Sequence, residues 1–460
     1  MLKRYIGDRA FYRHALAIAI PILIQNAITS FVSLLDNIMV GQVGTLQMSG
    51  VSIVNQLLLV YNLCIFGANS GAGIFTAQFH GSGDTASVRY AHRVKLYFCL
   101  GLAMLASGLF LAAGDPLIGL YLQGEGSAAD AAATLTFGRS YLLIMLLGLI
   151  PFALSNAYSG TLRETGQTVV PMAAGLAAVF VNLVLNYILI FGHLGLPAMG
   201  VNGAALATVI SRYVELIIVA GWTHLNSRRC PFIQGIYRSA YVPKTLFLRI
   251  VRKGMPLLLN EFLWSSGLAA LNQSYSTCGL DVVPALNIAN TIHNLANVSA
   301  IAFGSAVGIM IGQMMGAGHS EDAVRDTNRK LIAMSVACGA AVGTLLLSLS
   351  GVFPMLYNTT DSVRHLASTM ICIIAIMLPV GAFTLSAYYT LRSGGQALIT
   401  FLFDSCFMWA FPVTIAFLLS RFTAISIIPL FAICQGIDGI RCLLGAYMIK
   451  KGKWINNLTV

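Results

Sequence analysis

One pattern of residues occurs twice in this chain at a fixed separation, so the two halves are expected to fold alike. Six residues of the first half recur 235 positions later, namely Pro21, Asn55, Asn62, Gly73, Gln78 and Gly81 as Pro256, Asn290, Asn297, Gly308, Gln313 and Gly316. Residues 161–163, residues 166–167 and Arg212 recur 229 positions later, as 390–392, 395–396 and Arg441. The repeat predicts two homologous halves, residues 1–222 and 248–460, joined by a linker over residues 223–247.

The composition requires lipid as the main solvent. Hydrophobic residues make up 57% of the chain and charged residues 9%, against about 25% charged residues in soluble domains. Twelve apolar stretches are each long enough to span a bilayer, and lie at about 14–38, 50–78, 92–114, 134–158, 168–192, 200–222, 248–277, 285–315, 328–350, 362–390, 396–420 and 425–449. We predict an all-α integral membrane protein with twelve transmembrane helices in two six-helix bundles, because these stretches are too long for barrel strands.

The basic residues indicate how the chain is oriented. With the N-terminus in the cytoplasm, twenty-two Lys and Arg residues, beginning with Lys3 and Arg4, fall on the inner side, and Arg139, Arg364 and Arg421 fall outside. This asymmetry predicts a multi-pass protein of the cell (inner) membrane with both termini and the linker in the cytoplasm. Basic loops facing anionic lipid account for the net charge of +11 without a nucleic-acid partner.

Enzyme signatures are absent from the sequence. We find no H-E-x-x-H, G-x-S-x-G or P-loop motif, which predicts that the chain is neither an enzyme nor an ATP-driven pump. The nine cysteines show no metal-binding spacing, so we expect free thiols and no cofactor. We also expect a monomer.

Acidic residues at membrane depth are candidates for function, because each costs roughly 2.5–3.5 kcal/mol there. Five qualify: Asp36, Glu215, Glu261, Asp404 and Asp438. Glu215 and Asp438 each lie three residues from an arginine, Arg212 and Arg441, so helical geometry predicts neutralising pairs. Asp404 lies near the inner end of span eleven, where we expect it to be solvated.

Asp36 and Glu261 have no basic residue near them in the sequence. There is no Lys or Arg in residues 14–88 or 254–324. A carboxyl group in such surroundings can bind a proton, because burial disfavours its charged form, or it can hold a metal cation with neighbouring oxygens. We therefore predict that both residues couple a cation, and that Asp36 is a candidate Na⁺ ligand.

Neutral side chains extend the site around Asp36. Asn182 and Asn186 are spaced i,i+4 and share a helix face, and Thr208 lies in the next span. If that face meets Asp36, a carboxylate and several neutral oxygens suit Na⁺ or a hydrogen-bonded proton. The alternative is that these amides only form hydrogen bonds between helices.

Aromatic and amide side chains near Glu261 favour a flat organic cation as substrate. The candidate substrate-binding residues are Asn156, Glu261, Asn287, Tyr388 and Tyr389. Pro21 removes a backbone hydrogen bond within the first span and is a candidate hinge.

Several motifs together resemble one transporter family over nearly the whole length. They are "LLDNIMVG", "AQFHGSG" with its repeat "GQMMGAG", "SGTLRETGQ" with its repeat "YTLRSGGQ", and "VNLVLNYILIFG" followed by "GVNGAALAT". In these the chain resembles the MATE (multidrug and toxic compound extrusion) transporters, in particular their bacterial, NorM-like branch. By position, Asp36, Asn182, Asn186 and Thr208 resemble the family's N-lobe cation site, and Glu261 resembles the acid on its seventh span.

This resemblance implies secondary active efflux of amphipathic, mostly cationic drugs against Na⁺ or H⁺ by alternating access. Internal duplication in an apolar chain is also typical of such transporters. The alternative is a flippase for lipid-linked oligosaccharides, which the same superfamily contains. Its pyrophosphate substrates call for basic residues facing the cavity, and the cation-free stretches argue against it.

Overall fold

The computed structural model describes residues 5–122, 128–279, 281–357, 359–423 and 425–459. Lys3 and Arg4 lie outside the described residues. The described chain contains twelve long helices and no strand, which confirms the predicted all-α membrane fold. The helices are α1 Arg9–Gly41, α2 Thr45–Gly81, α3 Thr85–Gly119, α4 Ala128–Glu164, α5 Val169–Phe191, α6 Gly200–Leu225, α7 Lys244–Ser276, α8 Val282–Gly316, α9 Glu321–Leu349, α10 Asp361–Ser393, α11 Ala397–Phe422 and α12 Ile427–Lys451.

Eleven of these helices are long and apolar enough to cross a membrane, which makes the chain a multi-pass membrane protein. The remaining helix, α7, has 33 residues, so its length is sufficient. Its apolar stretch is interrupted by Asn260 and Glu261, which lower its hydropathy. The least apolar of the predicted spans is therefore the one that carries a candidate functional carboxylate.

Local sequence signals set several helix ends. The Asp84 carboxylate accepts from the backbone N–H of Ser87 at 3.0 Å and caps the start of α3. The hydroxyl groups of Ser320 and Thr360 cap α9 and α10 in the same way. Such caps satisfy backbone donors that a helix leaves free in its first turn. At the end of α5, Gly192 takes a left-handed conformation (φ 76°) that favours glycine.

By packing, the chain divides into two compact units. The N-lobe unit comprises residues 24–76 and 84–251, and the C-lobe unit comprises residues 1–23, 77–83 and 252–460. The first turns of α1 and the last turn of α2 therefore pack with the second half of the chain. This division by packing differs from the halves at 1–222 and 248–460, whose boundaries come from the repeat and stay a prediction.

In the N-lobe unit, α5 and α4 pack against α6, and α3 packs against α4. Close approach of α5 and α6 depends on Gly203, where an added Cβ would lie 2.6 Å from the Leu189 carbonyl oxygen. The buried core contains residues of α2, α3 and α4 such as Tyr61, Cys99 and Leu149. This packing fixes the helices that carry the first candidate site.

In the C-lobe unit, α10 is the central helix and packs against α8, α9 and α12. Helix α11 contains two π-helical segments, Leu402–Cys406 and Trp409–Val413. Segments of this kind often occur at functional sites, because they release backbone groups from the regular helical ladder. The first of them contains Asp404.

The segment from Gln78 to Gly81 and its repeat, from Gln313 to Gly316, contact each other reciprocally inside the C-lobe unit. Gly81 lies against the backbone of Gln313, and its repeat mate Gly316 lies against the backbone of Gln78, so that a Cβ on either glycine would overlap the facing chain. The Gln78 amide is buried and donates to the Ser393 carbonyl at 2.9 Å. The two glycines therefore allow the two copies of this segment to pack closely against each other.

Candidate functional site

Four polar residues that the sequence singles out lie together in the N-lobe unit. The amide nitrogen of Asn186 donates to Asp36 Oδ1 at 2.7 Å and lies 3.2 Å from Asn182 Oδ1. The Asn182 amide in turn lies 3.3 Å from the Thr208 hydroxyl. Helices α1, α5 and α6 thus join one carboxylate to two amides and a hydroxyl group. Their spatial clustering is confirmed, and their role stays a prediction.

The cluster contains an acceptor without a partner. Asn186 is 1% exposed, and its side-chain oxygen has no hydrogen-bond donor among the described residues. The surrounding groups favour the Asn182 amide turned by 180°, so that its nitrogen donates to both Asp36 oxygens, at 3.0 and 3.1 Å, and its oxygen faces the Thr208 hydroxyl. Since a buried acceptor without a partner is unfavourable, this site has unused capacity for a bound cation or a proton donor.

Asp36, Asn186 and Thr208 line a cavity of about 280 Å³ within the N-lobe unit. The same cavity is lined by Arg212, whose guanidinium group lies 4.6 Å from the ring centre of Phe152 and 3.5 Å from Glu215. The i,i+3 pair of Arg212 and Glu215 is therefore confirmed. The cavity brings one acid and one base into the interior of the unit.

A second polar network lies in the C-lobe unit around Glu261. The Tyr388 hydroxyl donates to Glu261 Oε1 at 3.3 Å, and the Asn260 amide lies 3.4 Å from that hydroxyl. The same amide donates to Asp404 Oδ2 at 2.9 Å. Asn260 is 1% exposed, and its side-chain oxygen accepts from the hydroxyl and backbone N–H of Ser405. It therefore connects Glu261 to the π-helical segment of α11.

The network ends in an ion cluster. Arg441 pairs with Asp404 at 3.0 Å and with Asp438 at 3.3 Å, and it donates to the Thr384 hydroxyl at 3.4 Å. The predicted pair of Asp438 and Arg441 is confirmed. The expectation that Asp404 is solvated is wrong, because its side chain is only 17% exposed and is held by Arg441 and Asn260.

A family model decides the identity of the chain. The MatE family model matches residues 21–188 and again residues 256–418. The two matches begin 235 residues apart, which is the separation of the first set of repeated residues. The chain belongs to the MatE family. As a MatE protein, it is a transporter and not an enzyme.

Relatives of this MatE protein carry the names of drug-resistance proteins. It is 23% identical to "Probable multidrug resistance protein NorM" of Thermotoga maritima over 96% of this chain and 93% of the relative. It is also 23% identical to "Multidrug resistance protein PmpM" of Pseudomonas aeruginosa, over 90% and 85% of the two chains. These relatives support a NorM-like MatE transporter.

Solved structures agree on the fold. An outward-facing multidrug resistance MATE family transporter superposes with a TM-score of 0.86 at 19% identity, covering 98% of each chain. A Vibrio cholerae MATE transporter, VcmN, superposes with a TM-score of 0.85 at 18% identity, covering 97% of this chain and 98% of that one. At such identities the likeness establishes the twelve-helix MATE fold alone.

The expectation that Asp36 and Glu261 lie in surroundings without basic residues is wrong. Asp36 and Glu261 form no ion pair within 4.0 Å in the part of the chain that the structure describes. Their surroundings are nevertheless not free of cations, since Arg212 is within electrostatic range of Asp36 and Arg392 of Glu261. The sequence stretches around the acids lack bases, but the fold supplies them from α6 and α10.

The remaining predicted residues are placed as follows. Tyr389 packs edge-on against Tyr388, with ring centres 5.4 Å apart, and accepts from Ser305. Asn287 is exposed on α8, and Asn156 in the N-lobe unit donates to the Phe152 carbonyl of its own helix at 2.9 Å. Helix α1 continues through Pro21. The substrate and hinge roles of these residues stay predictions.

Proposed function

We propose that this MatE protein is a secondary active exporter that exchanges Na⁺ or H⁺ for amphipathic organic cations. Its coupling cation binds at Asp36, with Asn182, Asn186 and Thr208 as neutral partners. The observation that carries the proposal is the Asn186 side chain, which is 1% exposed. Its amide nitrogen donates to Asp36, and its oxygen has no hydrogen-bond donor among the described residues. A hard cation prefers oxygen ligands, and a proton on Asp36 would neutralise the carboxylate.

Glu261 is the second coupling or substrate-binding acid in the proposal. It accepts a hydrogen bond from Tyr388, which packs on Tyr389. An acid beside aromatic rings attracts a flat organic cation through charge and through the ring faces. The names of the relatives support drugs as the substrate class.

Transport would proceed by alternating access. A coupling cation shifts the equilibrium between two conformations only as far as its affinities for them differ. In the proposal, cation binding at Asp36 favours the state that releases drug outside. The basic residues predict that both termini lie in the cytoplasm of a cell (inner) membrane, and we propose a monomer.

A lipid-linked oligosaccharide flippase is the weaker alternative. It would need several bases facing the substrate cavity, because pyrophosphate is best bound by guanidinium or ammonium groups. The cavity beside Asp36 has one, Arg212, and that group pairs with Glu215 at 3.5 Å. A cavity lined by one acid and by one base that is already paired with Glu215 favours a cationic substrate over a pyrophosphate.

The test is drug-induced Na⁺ or H⁺ flux in proteoliposomes of the purified protein. We expect ethidium to drive a counter-flux of one of the two cations, and Asp36→Asn and Glu261→Gln each to reduce it strongly. Asp361→Asn is the matched control, because it removes an acid whose side chain is 97% exposed. Flux like that of the unmodified protein in both Asp36→Asn and Glu261→Gln would refute the proposal.

A further inference from the structure

The segment that joins the two halves is folded against α3. Residues 226–243 contain a short 3₁₀ helix, Pro231–Ile233, and a series of turns. Arg93 of α3 donates three 2.9 Å hydrogen bonds to the carbonyl groups of Gly235, Ile236 and Tyr241. Arg89, one turn earlier, donates to the Phe232 carbonyl at 3.2 Å. Two arginines thus hold the linker through its backbone.

A cavity of about 850 Å³ lies between this linker and α3. Its lining includes four basic residues, Arg89, Arg93, His224 and Arg238, and hydroxyl groups from Ser227 and Ser239. No Asp or Glu is among its lining residues in the part of the chain that the structure describes. The cavity therefore offers donors and positive charge without an internal counter-charge.

Arg93 is a buried base with no carboxylate beside it among the described residues. It is 6% exposed, yet no carboxylate lies within 4.0 Å of it or of Arg89 or Arg238 among the residues described. Charged groups that are taken out of water are normally paired with an opposite charge. The three carbonyl bonds of Arg93 use three of the five N–H donors that a guanidinium group carries, so it can still donate to an anion.

Arginines also begin the corresponding helix of the second half. The N-caps of α3 and α9, Asp84 and Ser320, lie 236 residues apart, and at that separation Arg89 and Arg93 correspond to Arg325 and Arg329. Arg325 pairs with Glu321 at 3.0 Å, whereas no carboxylate lies within 4.0 Å of Arg89 among the described residues. Arg89 therefore differs from its repeat mate in lacking a counter-charge.

We propose that this cavity is a binding site for a phosphate group, carried by an anionic lipid headgroup or free in solution. Guanidinium groups recognise phosphate oxygens through paired, charge-assisted hydrogen bonds. Basic pockets at the membrane surface suit lipid headgroups. Tyr237 and Tyr241 are 71% and 63% exposed beside the cavity, as aromatic residues at a membrane interface often are. The site is independent of the proposed transport of drugs.

The test uses the full chain, delipidated in neutral detergent, with Arg89→Gln and Arg238→Gln combined in one variant. Arg93 is retained because it makes three of the four guanidinium hydrogen bonds to the linker backbone, whereas Arg89 makes one. Arg229→Gln is the matched control, since it removes one exposed positive charge of the same linker outside the cavity. Phosphatidylglycerol, phosphatidylcholine and inorganic phosphate are added separately, and binding is followed by native mass spectrometry and thermal unfolding.

We expect phosphatidylglycerol or inorganic phosphate to bind the unmodified protein, and the double variant to bind it about tenfold more weakly or worse. Binding of phosphatidylglycerol alone identifies the lipid headgroup as the source of the phosphate, and binding of inorganic phosphate identifies the free anion. Absence of binding by both overturns the proposal. An equal loss in Arg229→Gln also overturns it, because diffuse surface charge then explains the effect.

Discussion

The side-chain amide of Asn186 donates to the Asp36 carboxylate at 2.7 Å, across 150 residues of sequence. This bond orients both groups, since Asn186 simultaneously contacts Asn182 at 3.2 Å. The carboxylate on α1 is therefore held in place by α5. Any cation that binds here meets oxygens whose positions are already fixed, which reduces the ordering cost of binding.

Replacing Asn186 tests this arrangement. Asn186→Ala removes a hydrogen bond to a charged group, which typically contributes about 1.5–3 kcal/mol. We expect the half-saturating concentration of the coupling cation to rise about tenfold or more in a proteoliposome flux assay. Asn226→Ala is the control, because its amide contacts only the Trp222 carbonyl of its own helix among the bonds the structure describes. An unchanged cation dependence in Asn186→Ala would contradict the role given to this bond.

We expect the ion cluster around Arg441 to contribute to the stability of the fold. Arg441→Gln leaves Asp404 and Asp438 without their shared cation, with side chains only 17% and 29% exposed. Removing one partner of a buried pair typically costs about 3–5 kcal/mol, so we expect a clear drop in the unfolding temperature measured in detergent. Arg364→Gln is the control, since its partner Asp361 is 97% exposed and the pair contributes little.

A second variant separates charge from packing in this cluster. Arg441→Gln combined with Asp404→Asn removes one positive and one negative charge together. We expect the combined variant to be more stable than Arg441→Gln alone, because fewer buried charges are left unpaired. If the combined variant is less stable than the unmodified protein by the sum of the losses in Arg441→Gln and Asp404→Asn alone, the two residues do not interact energetically.

The sequence alone predicts those features of the structure that depend on helical periodicity and composition. The twelve spans follow from apolar length, and the shared face of Asn182 and Asn186 follows from their i,i+4 spacing. The spacing does not predict that this face meets Asp36, which lies 150 residues from Asn186. Pairs within a helix, such as Arg212 with Glu215, follow from i,i+3 geometry. These features depend on local geometry, which sequence spacing gives directly.

The spacing of residues along the sequence does not predict contacts between helices that are far apart in the chain. Asp404 and Arg441 lie 37 residues apart on different helices, so the sequence offers only the local partner of Arg441, Asp438. The connecting role of Asn260 depends on a backbone N–H that the π-helical segment of α11 directs toward it at 3.3 Å. A single sequence does not reveal such a helical irregularity, although a buried Asn next to Glu261 was a possible signal.

Close packing of the repeated glycines gives a prediction about stability. A Cβ on Gly316 would overlap the backbone of Gln78, whereas one on Gly101 in α3 meets no atom within 4 Å among the described residues. We expect Gly316→Ala to lower the free energy of unfolding by about 1–3 kcal/mol through overpacking. Gly101→Ala should leave it unchanged or raise it slightly, because alanine is the better helix former. Equal unfolding temperatures for the two variants would contradict this account.

Cys230 reports on whether the linker stays folded. Its thiol is 1% exposed, and burial raises its pKa to about 11. A raised pKa keeps the thiol protonated at neutral pH, and only the thiolate reacts quickly with maleimides. We therefore expect Cys230 in the intact protein to react slowly near pH 8, and faster as the pH rises toward its pKa. Peptide mapping by mass spectrometry after timed labelling measures this rate.

Arg93→Gln should increase that rate. The substitution removes the guanidinium donors to Gly235, Ile236 and Tyr241, so the linker opens more often and exposes a thiol with a more ordinary pKa. We expect labelling at pH 8 to accelerate about tenfold or more, because each opened molecule carries a larger thiolate fraction. Arg229→Gln changes the charge of the linker without touching these bonds and should label like the unmodified protein. Slow labelling in Arg93→Gln would mean that other contacts hold the linker against α3.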